Sequence, residues 1–231
     1  MLRDLIVKSK VCVNGYCQSD EDMKTGKAVV RTSTGFAYPS SAEVAELFFV
    51  QKARIPVGFE TAKSEFSDYD TGLSAVANDD YIVATKYGVS DMFGTDAIAN
   101  VVARPGYAVM ANTDGDLVYA TSASKYICEG VEDDCGHDLL KIYVSDATKT
   151  NPTSRTITVT PPTNGTASVS GAYSYYIVGD AITVSYEPAE GYVLDTVTVT
   201  DSSAGNVTVT NNKFTMPDKN VTVAVTFKLA E

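Results

Sequence analysis

The chain has 231 residues, of which 44% are hydrophobic and 20% are charged, and its formal net charge is −11. This length and hydrophobic content suffice for one large or two smaller domains with buried cores, and we favour two. The acidic charge argues against duplex DNA and anionic membranes as direct partners, because both repel negative charge. No stretch approaches the roughly 18–20 apolar residues that a transmembrane helix needs.

The N-terminal segment MLRDLIVKSKVCVNG has a short apolar run that Arg3, Asp4, Lys8 and Lys10 interrupt. It lacks the long apolar core and the small-residue cleavage site of a secretory signal peptide. We therefore expect that the protein is not secreted by the general pathway.

Residues 1–148 are predicted to form a β-rich, barrel-like domain with minor helix. Its strand candidates, in chain order, are SKVCVNGYCQ, GKAVVRTS, ELFFVQK, DYIVATKYG, GYAVMANTDGDLVYAT, SKYICEGV and LLKIYVSD. The dipeptides Asn14-Gly15 and Asp114-Gly115 are typical of tight hairpin turns, so we predict a hairpin at each. The segments SSAEVAELF and VSDMFGTDAIANVV are candidates for short helices, and an irregular loop is the alternative for the second.

The segment RIPVGFETAKSEFSDYDTG (54–72) shows no clear periodicity. We interpret it as a long loop or an extended arm. Loops of this length in compact domains are usually functional or contact something, so this segment is our candidate for a lattice-contacting arm.

A change of composition near 145–156 marks a boundary, and we predict a linker at 149–154 followed by a second domain at 155–231. In this second domain Val, Ile and aromatic residues alternate with Thr and Ser over several short runs that turn residues separate. Such alternation predicts a small β-sandwich of the immunoglobulin-like (Ig-like) kind. The residues predicted to face inward are Ile157, Val159, Ile182, Val184, Tyr186, Val197, Val199, Val207, Val209, Val221, Val223, Val225 and Phe227.

The four cysteines leave three alternatives open. In the predicted Asn14-Gly15 hairpin, Cys12 faces Cys17 at a separation that a disulfide can bridge, and Cys128 and Cys135 bracket a second hairpin tip. A zinc site of these four residues, or with His137 replacing one of them, is the second alternative, although the spacings are not typical of zinc. Four free thiols are the third.

No residue pattern indicates catalysis, a cofactor or a metal, and we predict that the protein is not an enzyme. His137 is the only histidine and lies in a polar turn, DDCGHD. Carboxylates cluster at 19–24, 67–70, 78–80, 113–116 and 131–134. Paired acids could hydrolyse a glycosidic bond or bind Ca²⁺, but Asp and Gly are also favoured in turns for backbone reasons.

The chain has 14 Tyr and 8 Phe. Tyr is enriched at protein interfaces, where it gives contact area at low entropic cost. Tyr173, Tyr175 and Tyr176 lie close together in the sequence, and we interpret them either as strand packing or as a contact patch.

Two stretches resemble known families. The first, EGYVLDTVTVTDSSAGNVTVTNNKFTMPDKNVTVAVTFK, is similar to divergent bacterial repeat modules found at the ends of cell-surface proteins and of some phage structural proteins. The matching features are Gly191-Tyr192 before a Val/Thr strand, the run from Phe214 to Pro217, and a last strand that ends in Phe227. The resemblance implies an Ig-like fold without catalytic residues.

The second resemblance joins LFFVQKARIPVGFETAKSEFSDYDTG with the stretch from Gly106 to Ala147, and it is to tailed-phage head decoration proteins. In those proteins a β domain grips the capsid lattice and an optional Ig-like module projects outward. The resemblance implies a virion protein whose partners are the major capsid protein and neighbouring copies of itself. Host-surface glycans are a further candidate ligand of the outer module. A tail-tube protein with an appended module and a glycan-binding adhesin are the alternatives.

Overall fold

The computed structural model describes residues 2–17, 23–42, 46–51, 75–76, 78, 81–99, 104–134, 136–173 and 175–231. The chain forms two compact units, Met1–Asn151 and Pro152–Glu231. Regular secondary structure in the described residues is entirely β-strand, which confirms the predicted mainly-β class. The second helix candidate instead contains the strand Met92–Thr95, and positions 43–45 of the first lie outside the described residues.

The first unit is built from short strands and one long hairpin. Its strands are β1 (Leu2–Ile6), β2 (Val11–Cys17), β3 (Met23–Lys24), β4 (Ala28–Arg31), β5 (Gly35–Ala37), β6 (Phe48–Val50), β7 (Ala75–Val76), β8 (Tyr81–Lys86), β9 (Met92–Thr95), β10 (Val109–Ala111), β11 (Leu117–Tyr119), β12 (Ser124–Asp134) and β13 (His137–Lys149).

Five of these strands close into a barrel in the order β2-β5-β4-β6-β8. Closure requires β2 to run parallel to β5, and Gly35 makes this approach possible because a Cβ there would lie 2.1 Å from the carbonyl oxygen of Tyr16. The barrel interior is filled by side chains that alternate along the strands. The buried residues of this cluster are Cys17, Met23, Val29, Phe36, Phe48, Val50, Val76, Ile82 and Ala84.

The predicted hairpin at Asn14-Gly15 is wrong. Strand β2 runs through both residues and pairs with β8 from Val11, opposite Lys86, to Tyr16, opposite Tyr81. Neither residue of the dipeptide has the positive φ that a type I′ turn requires. The long-range pairing of β2 with β8 therefore overrides the local turn preference.

A second sheet, in the order β1-β9-β13-β12, covers the outside of the barrel. Between them lies a cluster of buried residues that includes Phe49 of β6 and the aromatic rings of Tyr87, Phe93 and Tyr126. The Phe49 ring lies 4.5 Å from that of Phe93, and the Tyr87 and Phe93 rings stack at 4.1 Å. This aromatic layer holds the barrel and the sheet together as one unit.

The predicted hairpin at Asp114-Gly115 is confirmed. It joins β10 to β11, and Gly115 adopts a φ of 74°, which favours glycine. The Asn112 side chain accepts hydrogen bonds from the backbone N–H groups of Asp114 and Asp116. The NTDGD stretch thus acts as a turn, in which the Asn112 side chain bonds the local backbone and the Asp116 carboxylate forms an ion pair with Lys27.

The second unit has the strands predicted from its alternating pattern, and one short strand in addition. They are β14 (Ile157–Thr160), β15 (Gly165–Ser170), β16 (Ala181–Pro188), β17 (Tyr192–Asp201), β18 (Asn206–Val207), β19 (Lys213–Thr215) and β20 (Val221–Leu229). They form two sheets, β14-β20-β17-β18 and β15-β16-β19. Every residue predicted to face inward belongs to the single hydrophobic cluster of this unit.

The first and last strands of the second unit run parallel, from Ile157 opposite Val221 to Thr160 opposite Ala224. The chain therefore enters the unit beside the start of β20. Since β20 continues to Leu229, the chain leaves at the opposite end of the unit.

The first residues of the predicted linker at 149–154 are part of the first unit. Lys149 is the last residue of β13, and the Asn151 side chain exchanges hydrogen bonds with the backbone of Ala108. The same side chain donates to the carbonyl of Ala120. These residues are therefore tied to the first unit, and the division into units falls between Asn151 and Pro152.

Candidate interaction surface at the barrel mouth

One end of the barrel is organised by the buried carboxylate of Asp91. Its oxygens accept hydrogen bonds from the backbone N–H groups of Lys8, Ser9 and Gly88. The β1–β2 turn and the β8–β9 turn are thereby tied to each other. Burial alone would raise the pKa of Asp91, but these three donors stabilise the carboxylate and hold its pKa below the usual value.

Beside these turns the barrel opens into a cleft of about 270 Å³, which we call the barrel mouth. It consists of apolar side chains from β2 and β6 with a charged rim from β4, β8 and the segment before β6. The lining residues are Ser9, Val11, Val13, Arg31, Glu46, Phe48, Lys86 and Gly88.

Large hydrophobic side chains are exposed around the barrel mouth. Val11, within it, is 55% exposed, and Ile6, Val7 and Val89 in the adjoining turns are exposed as well. Ile6 pairs with Met92, and Val89 is one residue beyond Gly88, so all four lie at the same end of the unit. Exposed apolar side chains concentrated in one place are typical of an interaction surface.

The rim of the barrel mouth is positively charged although the chain is acidic. Lys86 donates a hydrogen bond to Glu46 and lies 5.9 Å from the centre of the Phe48 ring. This hydrogen bond, with the charges of Lys86, Lys125 and Arg31, lowers the pKa of Glu46. Lys86 is thus in contact with Glu46 while Lys125 and Arg31 act on it from farther away, and Arg31 forms no ion pair within the part of the chain that the structure describes.

Tyr16 and Tyr81 form an exposed aromatic pair at the other end of β2 and β8. They are directly opposite each other, their ring centres are 4.1 Å apart, and they are 43% and 66% exposed. A hydrogen bond with Tyr16 raises the pKa of Tyr81. An exposed tyrosine provides a large contact area and loses little side-chain entropy on binding, so this pair is suited to protein contact.

The turn between β12 and β13 forms an acidic tip. Glu132, Asp133 and Asp138 are exposed, and Val131, near the end of β12, is 43% exposed. Asp134 forms an ion pair with Arg3 of β1, which anchors the base of this tip. Lys141 lies 3.7 Å from Glu132 and offsets part of its charge.

The positions of the cysteines in the structure test the alternatives that the sequence left open for them. No disulfide joins Cys12 to Cys17, so this alternative is wrong: β2 runs through both residues, and the hairpin that would place them opposite each other does not exist. Cys128 is buried opposite Ile142, and Cys135 lies outside the described residues. Burial raises the pKa of the Cys128 thiol and makes it less reactive.

The other residues singled out from the sequence do not converge. His137 is exposed at the acidic tip, and the cluster at 113–116 forms the β10–β11 turn. Most of the clusters at 19–24, 67–70 and 78–80, and all of segment 54–72, lie outside the described residues. Among the residues described, no three His, Cys, Asp or Glu side chains are grouped as a metal ion would require.

Tyr173, Tyr175 and Tyr176 were interpreted as strand packing or a contact patch. Tyr176 packs against the core of the second unit and pairs with Arg155 through its backbone. The Tyr175 hydroxyl donates to the carbonyl of Pro152 at 2.7 Å. Both side chains therefore support the start of their own unit.

The barrel mouth was missed in the sequence because its residues come from separate segments, near 9–13, 31, 46–48 and 86–88. They come together only in the barrel, where β2 pairs with β8, β8 with β6 and β6 with β4. The alternation of Val11 and Val13 was the one local signal, and the predicted hairpin obscured it.

The second unit has two sheets that pack around core residues from alternating positions of their strands. These features define an Ig-like bacterial β module. More specifically, residues 155–231 match the family of the divergent InlB B-repeat domain, and this part of the chain is such a domain. The match covers one third of the chain. No curated protein matches the sequence. In the parts of the chain that are described, no helix has the length and apolar character to cross a membrane.

Proposed function

We propose that this chain is a structural protein of a tailed-phage virion, and specifically a capsid decoration protein. Its first unit binds the outer face of the head, and its second unit projects away from the shell. In this proposal the protein works by adhesion and catalyses no reaction. Its partners are the major capsid protein and neighbouring copies of itself.

The observation that carries the proposal is the divergent InlB B-repeat domain at residues 155–231, joined to a separate compact β unit. Modules of this kind belong to surfaces that face other cells or the medium. The parallel pairing of β14 with β20 supports a projecting role, because the chain enters and leaves this unit at opposite ends.

Binding to a repeating shell does not require high affinity per copy. Many identical contacts, held together on one lattice, convert modest affinity into high avidity. The exposed pair Tyr16 and Tyr81 supports a role of this part of the barrel as the anchor on the shell, since aromatic side chains dominate binding energy at interfaces. The net charge of −11 disfavours nucleic acid and anionic membrane as partners.

The test is binding of the purified chain to expanded phage heads that lack decoration, measured by co-sedimentation and by electron microscopy. We expect saturable binding to the outer surface, and at least about tenfold weaker binding when Tyr16→Ala and Tyr81→Ala are combined. The matched control combines Val193→Ala with Leu229→Ala, which removes exposed apolar side chains from the second unit and should leave binding unchanged.

The outcome also separates the alternatives. A chain that ignores heads and is located in tails is a tail protein with an appended module. A chain that binds neither heads nor tails but binds host glycans is an adhesin. Either result rejects the decoration role.

A further inference from the structure

The barrel mouth and the acidic tip lie at opposite ends of the first unit. Strand β13 starts at His137 in the tip, and the carbonyl of its Val144 accepts a hydrogen bond from Ser90, next to the mouth. Seven residues of extended strand separate these points by roughly 23 Å. The tip of one copy is therefore remote from the mouth of the same copy.

The two surfaces are complementary in charge. The mouth places Arg31 and Lys86, with Lys125 near them, close to Glu46, which is the carboxylate among its described lining residues. The tip has several exposed carboxylates, of which Glu132 alone forms an ion pair with a lysine among the residues that the structure describes. The exposed carboxylates of the tip are Glu132, Asp133 and Asp138.

The two surfaces are also complementary in their apolar groups. Val11 and Val13 line the mouth, and the exposed Val7 and Val89 lie in the turns beside it. Val131 is the exposed large hydrophobic side chain of the tip. A narrow two-stranded tip can present one such side chain to a cleft of about 270 Å³ without displacing the barrel core.

We propose that the acidic tip of one copy docks at the barrel mouth of a second copy of this chain. Val131 then covers the exposed apolar side chains of the mouth. Glu132 and Asp133 face the positively charged rim, where Arg31 forms no ion pair with any residue that the structure describes. This inference rests on the proposed function, since it identifies the contact between neighbouring copies on the head.

A contact of two different surfaces has a geometric consequence. An isologous dimer uses the same surface of both copies and stops at two. In the proposed contact, a pair still has one unoccupied mouth and one unoccupied tip, so further copies add head to tail until a ring closes. Such a contact suits multi-copy assembly and is weakened by salt, because its charges lie at the rim.

The test uses charge reversal in the full chain. The mouth variant combines Arg31→Glu with Lys86→Glu, and the tip variant combines Glu132→Lys with Asp133→Lys. Sedimentation velocity over a range of concentrations should show salt-sensitive association of the unchanged chain. Each variant alone should associate more than about a hundredfold more weakly, because like charges then meet across the contact.

An equimolar mixture of the two variants is the decisive measurement. The reversed mouth of one then meets the reversed tip of the other, and the unchanged mouth meets the unchanged tip, so association should return. The control combines Lys213→Glu with Lys228→Glu, which makes the same change of charge in the second unit and should leave association unchanged. If the mouth variant fails to fold by circular dichroism, Arg31→Gln with Lys86→Gln replaces it.

An unchanged chain that stays monomeric, variants that associate normally, or a mixture that does not recover would each overturn this contact. The result is separable from the proposed function. Normal binding of both variants to heads would reject the contact and leave the decoration role standing. Recovery in the mixture together with no binding to heads would reject the decoration role and keep the contact.

Discussion

The second unit packs one hydrophobic cluster between two sheets, whereas the first unit packs one cluster inside a barrel and further clusters outside it. In the second unit Val199 and Val223 point to the same core from neighbouring strands. In the first unit Phe48 faces the barrel interior, and its neighbour Phe49 faces the second sheet. A strand that is buried on both faces shows no alternation, which is why the run Phe48–Val50 is entirely apolar.

This difference shows how far the sequence pattern of single strands specifies a fold. Where one face of a strand is exposed to solvent, the alternation of hydrophobic and polar residues shows which side chains are buried. Where both faces are buried, packing depends on strands from distant parts of the chain. The two units of this protein allow both cases to be tested within one molecule.

The largest effect is expected from removal of an aromatic ring that joins the barrel to its covering sheet. Phe49→Ala should lower the free energy of unfolding of the first unit by about 3–5 kcal/mol, because the fully buried ring also contacts Phe93 and Tyr87. Phe214→Ala should act similarly on the second unit alone. Calorimetry, with hydrogen exchange to assign each transition, measures both. Equal shifts of all transitions by either substitution would show that the chain unfolds as one body.

A smaller effect is expected from a single methyl group at the closure of the barrel. Gly35→Ala places a Cβ against the carbonyl oxygen of Tyr16, and backbone cannot move aside as a flexible side chain can. We expect a loss of about 1–3 kcal/mol in the first unit.

Gly94→Ala is the matched control for barrel closure. Gly94 also lies in a strand of the first unit, but its nearest neighbours would be at 3.5 Å, an ordinary contact distance. Its substitution should change stability by less than about 0.5 kcal/mol in denaturant unfolding. Equal losses for both glycines would mean that the parallel β2–β5 contact does not limit the barrel.

The fold of the second unit could be predicted almost strand by strand. Ile182, Val199 and Val223 were expected inside and are buried, because each lies on an alternating strand with one exposed face. The short strand Lys213–Thr215 was not separated from its neighbours, although Phe214 is buried there. Three residues are too few for period-two alternation to stand out.

The first unit could be predicted only in class. Asn14-Gly15 indicated a turn, yet Gly15 is needed in a strand because a Cβ there would lie 2.8 Å from the ring of Phe36. No local pattern distinguishes these two reasons for a glycine. The barrel mouth was unpredictable for the same reason, since Val11, Arg31 and Lys86 meet only after the barrel closes.

Two similar carboxylates extend the comparison of the two units to electrostatics. Asp91 accepts three backbone hydrogen bonds in a buried position, and Asp201 accepts bonds from the N–H groups of Ser203 and Gly205 at a partly exposed turn. Asp91→Asn should lower the stability of the first unit by about 1–3 kcal/mol, because the NH₂ group that replaces one carboxylate oxygen then faces a backbone N–H donor. Asp201→Asn should cause a smaller loss in the second unit.

The pH dependence follows from the direction of the shift. In the folded chain the pKa of Asp91 is below its usual value, so its contribution is present above the ordinary aspartate pKa and is lost as the pH falls through the folded pKa. Unfolding of the first unit should therefore become less pH-dependent in acid when Asp91 is replaced by Asn. An unchanged acid profile would show that the carboxylate does not hold the two turns together.

The smallest effect is expected at the cysteines, all four of which lie in the first unit. Cys12 is exposed on the outside of the barrel, whereas Cys17 and Cys128 are buried. A thiol reagent should modify Cys12 in the folded chain and the two buried thiols only after unfolding, as peptide mapping would show. Cys12→Ser should change stability by less than about 0.5 kcal/mol, since an exposed position loses no packing.

The same peptide map tests the course of β2. Cys12 and Cys17 are five residues apart in one strand, a distance of roughly 16 Å, and an odd separation places them on opposite faces. A disulfide spans less than about 7 Å between Cα atoms, so mild oxidation should leave these two unlinked. A Cys12–Cys17 bridge in the folded chain would instead support the hairpin at Asn14-Gly15. It would contradict the course of β2 and therefore the closed barrel and its mouth.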